Sequence, residues 1–208
     1  TKPGCEIHNS ASMTLEQVIQ VMEKGESQSK MTVRLHTGDP SIYGAIREQM
    51  DILIEKGIEY SVVPGVSSFC GAAAALKTEY TLPTVSQTVI LTRMEGRTPV
   101  PEKEEISKLA SHQASMALFL SAGMLEELSR RLIKGGYNAD TPAAIVYKAT
   151  WPDERIVRTT IENLSQAAKE NEISKTALIL VGGFLGNEYE RSKLYDPTFT
   201  HEFREAEK

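Results

Sequence analysis

Two cysteines in 208 residues, Cys5 and Cys70, are too few and too far apart for a disulfide framework. Such sparse thiols fit a reducing compartment, and cytoplasm is the expected location. Aromatic residues make up only 6% of the chain, and no apolar run approaches the ~18 residues that span a bilayer. The amino terminus shows none of the charged, apolar and cleavage regions of a signal peptide, so neither export nor membrane insertion is expected. A net charge of -5 argues against general binding to nucleic acid, whose affinity rests on cationic neutralisation of phosphates. There is also no P-loop, CxxC pair, HExxH or G-x-S-x-G elbow. His8, His36, His112 and His201 lack metal-ligand spacing, and Cys70, beside an alanine run, reads as core rather than nucleophile. No catalytic acid, base or nucleophile and no protein-bound metal is therefore assigned.

The chain is 40% hydrophobic and 25% charged, enough for a substantial core in one domain or two small ones. Strand-like apolar runs alternate with amphipathic helical ones from end to end, which implies an α/β protein with a mostly parallel or mixed sheet covered by helices. Thr14 and Gln17 form a capping box for a helix that carries Leu15, Val18, Ile19 and Met22 on one face and ends at Gly25. Met31 to Leu35 follows as a strand. Asp39 and Pro40 are expected to open a second helix closed by Gly57, and Tyr60 to Val63 to form the next strand. Ser67 or Ser68 caps a short helix through Ala72 to Ala75. The period is lost around Thr78 to Thr84, which places a boundary between lobes 1-80 and 81-208. Further strands are expected at Thr88 to Thr92, Met116 to Leu120, Ala143 to Lys148, Arg155 to Thr160 and Ala177 to Val181. A helix from Met124 to Lys134 stops at Gly135 and Gly136. From Gly186 onward the chain is polar and aromatic without a clear period.

Two loops could carry chemistry. In His36-Thr37-Gly38-Asp39-Pro40 a strand hands over to a helix, and ligands of open α/β sheets gather at the carboxyl ends of strands. Gly38 lets backbone approach a ligand, exposed amides can bind polar groups, and Asp39 can accept hydrogen bonds from a ribose or an amine. An Asp-Pro pair also starts a helix with no ligand present. Val63-Pro64-Gly65-Val66-Ser67-Ser68 repeats the arrangement one βα unit later, so both loops are expected to open on the same edge and form a crevice. Basic side chains cluster as Arg93 with Arg97, Lys148 with Arg155 and Arg158, and Arg191 with Lys193 and Arg204. On an acidic protein these suit a polycarboxylate, although each alone also reads as solvated surface.

These two loops resemble those of the tetrapyrrole methylase family, in which a G-G-D-P type loop is followed by a P-G-V/I-[ST]-[SA] turn. Three more stretches extend the resemblance over essentially the whole chain: Gln87 to Arg93 continuing through Gly96-Arg97-Thr98-Pro99-Val100-Pro101, then Val146 to Pro152, then Arg191 to Asp196. Members of the family begin with a strand and a G-x-G-P-G-D loop ahead of the point where this sequence starts, so an incomplete first lobe is expected. The resemblance implies a two-lobed fold and S-adenosylmethionine as cofactor, bound by Thr37, Gly38, Asp39, Ile42, Ser67 and Ser68 and, from the second lobe, Leu120, Ala149 and Ala177. It implies methylation of carbon 11 of precorrin-4 or cobalt-precorrin-4, with Arg93, Arg97 and Lys148 on the substrate's carboxylates, and a homodimer. The alternatives are a family member acting on uroporphyrinogen III or precorrin-2, or a cofactor-binding remnant without turnover.

Overall fold

A computed structural model describes residues 1–206 of the chain. They divide into two compact units, Thr1–Ser67 and a second that begins at Ser68. This division falls earlier than the expected 80/81 boundary because the helix beginning at Ser68 packs on the second unit's sheet, with Ala72, Leu76 and Tyr80 in that core.

The first unit contains helices α1 (Leu15–Ser27) and α2 (Arg47–Glu55). The capping box of α1 forms as expected, with the Gln17 amide donating to Thr14 Oγ1 and the Thr14 amide donating to Gln17 Oε1 at 2.8 Å. Ile19 of α1 and Leu53 of α2 are buried, and Lys56 pairs with Glu23 at 2.7 Å. α1 runs two residues past Gly25, ending at Ser27. Gly57 closes α2 as expected, at φ +66°.

Two other expectations for this unit are corrected. The helix does not start at Pro40: Tyr43 and Ala45 take left-handed backbone conformations (φ +57° and +48°), which no α-helix can pass through, and α2 opens only at Arg47. Nor do Met31 to Leu35 or Tyr60 to Val63 pair into a sheet among the described residues. A strand is stable only where a neighbour takes its backbone groups, and without one the alternating apolar side chains lie open, Met31 at 90% exposure. The sheet expected in each lobe is thus seen in the second unit alone among the described residues.

The second unit is the α/β body. Its strands are β1 (Val89–Arg93), β2 (Ser115–Phe119), β3 (Pro142–Tyr147), β4 (Arg155–Thr160) and β5 (Ala177–Val181), in spatial order β1-β2-β5-β3-β4. β1 and β2 are parallel, whereas β5 is antiparallel to β2 and to β3, and β4 is antiparallel to β3. The central strands are apolar at nearly every position because both faces are covered, the exception being Ser115 at the start of β2, whose buried hydroxyl donates to Tyr80 O. Met116, Leu118, Ala143, Ile145, Ile179 and Val181 face one core, shared with α4 (Ile106–Ala110), α5 (Leu125–Lys134) and α6 (Leu164–Glu170). Their neighbours Ala117, Ala144, Val146, Leu178 and Leu180 face the other, against α3 (Ser68–Leu76) and Phe184. Alanines at 72, 117 and 144 let α3 lie close to the sheet.

Strand directions decide where side chains gather. β1, β2 and β3 run the same way and β4 and β5 run back, so Arg93, Phe119 and Tyr147 end their strands on the edge where Arg155 and Ala177 begin theirs. Tyr147 pairs with both Ala177 and Arg155.

Candidate functional site

In the first unit the two loops touch directly, rather than opening as a crevice on a sheet edge, because Gly65 lies against Gly38 and no strand precedes either loop among the described residues. The Asp39 carboxylate accepts the Gly65 amide at 2.8 Å through Oδ2, and the Ser41 amide and hydroxyl through Oδ1. Gly65 has no room for a side chain, because a Cβ there would stand 2.1 Å from the Gly38 carbonyl oxygen. Gly38 has φ +68°, and its left-handed turn presents that carbonyl to the second loop. Asp39 is therefore a tie between loops rather than the helix cap expected of it.

The three hydrogen bonds, the Ser41 hydroxyl foremost, hold the Asp39 carboxyl below its ordinary value. The tie is fully present above the ordinary aspartate range and is lost as pH falls through the depressed value. Burial, with Arg34 second, pushes the His36 imidazole down, which favours its neutral form. Thr37 is exposed, Ile42 half-buried and Ser67 buried.

In the second unit, Leu120, Lys148, Ala149 and Ala177 come together at the sheet edge described above. The Lys148 amide donates to Thr176 O at 3.0 Å, which joins the end of β3 to the start of β5. Gly71 of α3, one turn beyond Ser68, packs on Ala149 and Thr150, so Ser68 belongs to the same neighbourhood. At this edge Leu120, Lys148 and Thr150 all have left-handed backbone (φ +51°, +45° and +73°). Each such residue other than glycine costs free energy, and clusters of them mark sites where the surrounding structure holds the backbone for a task. Leu120 is 71% exposed, and the buried Ser121 hydroxyl after it donates to Phe119 O at 2.7 Å while accepting the Met94 amide at 3.0 Å. That serine fixes the turns after β1 and β2 together.

The three expected substrate cations differ. Arg93 is spent on its own loop, with its guanidinium donating to the carbonyls of Met94, Thr98 and Pro99 at 2.8–3.2 Å. Arg97 is exposed in that loop. Lys148 holds Asp153 at 2.5 Å, and this hydrogen bond is the main reason its ammonium pKa is raised. Arg155 and Arg158 donate to the Asn171 and Leu76 carbonyls at 2.6 and 3.0 Å. The sequence had singled out Val146 to Pro152 but missed Trp151 and Asp153 as partners of Lys148. One correction concerns α3, which turns Gly71, Ala72 and Leu76 inward and leaves Cys70 exposed rather than in the core.

A cavity of about 470 Å³ at the opposite sheet edge, lined by Ser86, Gln87, Thr88, His112 and Gln113 among others, contains none of these residues. No group of three or more metal-ligating side chains occurs among the described residues.

Comparison with known proteins agrees with this architecture. The model of the Tetrapyrrole (Corrin/Porphyrin) Methylases matches residues 2–165, well over half of the chain. The chain belongs to the tetrapyrrole methylase family. A cobalt-precorrin-4 C(11)-methyltransferase from Methanocaldococcus jannaschii is 54% identical to this methylase over 208 residues, covering 100% of this chain and 80% of the relative. The X-ray structure of the cobalamin biosynthetic enzyme cobalt precorrin-4 methyltransferase, CbiF, superposes with a TM-score of 0.88 at 49% identity, covering 90% of this chain and 78% of that one. A uroporphyrin-III C-methyl transferase from Thermus thermophilus, complexed with S-adenyl homocysteine, shares the fold at 20% identity, with a TM-score of 0.68 and coverage of 82% and 74%.

Each unit on its own offers groups that suit a nucleoside: in the first, the Thr37 and Ser67 hydroxyls and the Asp39 carboxylate lie on the two touching loops, and in the second, backbone groups of Leu120, Ala149 and Ala177 lie at one sheet edge.

Proposed function

We propose that this chain transfers a methyl group from S-adenosylmethionine to carbon 11 of precorrin-4 or cobalt-precorrin-4. The observation that carries the reading is 54% identity, without loss of any part of this chain, to a protein named for that reaction. When bound, S-adenosylmethionine supplies an already activated methyl group on a sulfonium. The chain's residues then have to bind, align and exclude water, and none is needed as a covalent nucleophile. Thr37, Gly38, Asp39, Ile42, Ser67 and Ser68 from the first unit and Leu120, Ala149 and Ala177 from the second are assigned to the cofactor. Lys148 and the exposed Arg97 are assigned to substrate carboxylates. Arg93 joins them indirectly, because it shapes the loop that carries Arg97.

The family resemblance supports a homodimer, and the sparse thiols support a cytoplasmic enzyme. No helix among the described residues is long and apolar enough to cross a membrane.

A thermal shift with S-adenosylhomocysteine tests the cofactor assignment. Ligand at ~100 times its dissociation constant adds about 2.7 kcal/mol, which for a protein of this size raises the midpoint by roughly 5 to 11 °C. An unmoved midpoint across a range of ligand concentrations would remove the assignment.

A further inference from the structure

The turn between β3 and β4 presents a cation on aromatic rings, paired with a half-exposed carboxylate. Lys148 Nζ lies 5.0 Å from the centroid of the Tyr147 ring and 5.4 Å from that of Trp151, and the Arg155 guanidinium carbon lies 4.7 Å from Tyr147. The same ammonium is held 2.5 Å from the Asp153 carboxylate, whose side chain is 55% exposed. Trp151 leaves 57% of its surface in solvent. The turn is nonetheless well fixed: the Trp151 amide donates to Lys148 O, the Glu154 amide to Trp151 O, and the Thr150 amide to the Glu154 carboxylate at 2.6 Å. Hydrogen bonds, together with two left-handed residues, hold an exposed aromatic face and a partly exposed cation, the Lys148 side chain at 24% exposure, at the edge where the site residues gather.

We propose, building on the methyl-transfer reading, that this turn is a docking platform for the carboxylated tetrapyrrole and that Asp153 is a built-in competitor. In the free protein Asp153 occupies the position on Lys148 that a substrate carboxylate takes over, while the tetrapyrrole edge lies on the Trp151 indole. The exchange trades one ion pair for another on Lys148, and the displaced Asp153 carboxylate, already half exposed, is hydrated in solvent with the Arg155 charge nearby. Arg93 cannot play this part because its hydrogen bonds go to three backbone carbonyls of its own loop. A tethered competitor also confers selectivity. Its effective concentration is of order millimolar or higher, so a lone carboxylate such as acetate does not displace it, whereas a ligand with several carboxylates and a stacking face does. Asp153 is thus a specificity-determining residue.

Trp151 is the chain's single tryptophan, so its fluorescence reports on the platform without labelling. The probe is uroporphyrin III, an octacarboxylate tetrapyrrole that absorbs in the range of indole emission. Wild-type protein is expected to show saturable quenching that acetate at equal carboxylate concentration does not reproduce. D153N is expected to bind the porphyrin about two- to fivefold more tightly, the measure of an exposed ion pair. K148M is expected to bind it about tenfold more weakly, and K148M/D153N to show no gain over K148M. Each variant is checked for an unchanged circular dichroism spectrum and for its thermal shift with S-adenosylhomocysteine. If D153N binds equally or more weakly, the ion pair only braces the turn and the proposal is overturned, as it is if K148M binds as wild type or the wild type is not quenched. A normal shift with S-adenosylhomocysteine in those cases leaves the cofactor assignment standing, and loss of both responses in wild type defeats the methyl-transfer reading as well.

Discussion

Gly65→Ala is expected to raise the dissociation constant for S-adenosylhomocysteine at least ~10-fold, about 1.4 kcal/mol, while the second unit melts as in wild type. The new methyl would stand 2.1 Å from Gly38 O, a backbone atom that a rotamer change cannot move aside. The loops must separate, and separation breaks the hydrogen bond from the Gly65 amide to Asp39. Gly38 and Asp39 are then displaced together with Ser67, two residues past the substitution. Isothermal titration calorimetry measures the affinity, and amide hydrogen exchange in β2, β3 and β5 checks that the second unit is intact. Wild-type affinity in Gly65→Ala would mean that the contact between the loops has no part in binding.

Leu128→Ala is expected to have the largest effect on stability. Leu128 is fully buried on α5 in the core beneath the sheet, along with Met116, Leu118 and Ile145. Truncating such a leucine costs about 2–5 kcal/mol through lost transfer energy and the cavity left behind. The apparent melting midpoint of the second unit is then expected to fall by roughly 5 to 15 °C. Differential scanning calorimetry reads this directly, and a fall of less than about 2 °C would mean that the core closes over the cavity.

How much of this was legible in the sequence depended on burial. All five strands of the second unit were readable to within about one residue, because each inner strand is a mainly apolar run with both faces covered, β2 alone starting on a serine. The run Arg155 to Thr160 stood out through its β-branched residues, and it forms the edge strand β4 with much of its surface open. The first unit was less legible. Met31 to Leu35 and Tyr60 to Val63 have strand composition, but a strand is made by its neighbour, and none pairs with them among the described residues. Asp39-Pro40 satisfied every local rule for a helix start. The rule lost to a contact from far along the chain, the Gly65 amide, and to the left-handed turns at Tyr43 and Ala45.

The same holds for the site. Leu120, Lys148, Ala149 and Ala177 were named from family resemblance, and strand directions explain why they share an edge. Sequence could not show that Arg93 is committed to its own loop while Lys148 carries an exchangeable partner, because both facts depend on how the turns after β1 and β3 fold back. Asp153, five residues beyond Lys148, would have been found only by asking which acid a tight turn returns to that lysine.

The most direct test of the account is to incubate the protein with S-adenosylmethionine carrying a labelled methyl group and with cobalt-precorrin-4 or precorrin-4. The product's mass and the position of the label are then read by mass spectrometry and NMR. The expected result is one labelled methyl group on carbon 11, with S-adenosylhomocysteine released in equal amount. A label on another ring carbon, or unchanged tetrapyrrole in a preparation that binds S-adenosylhomocysteine, would contradict it.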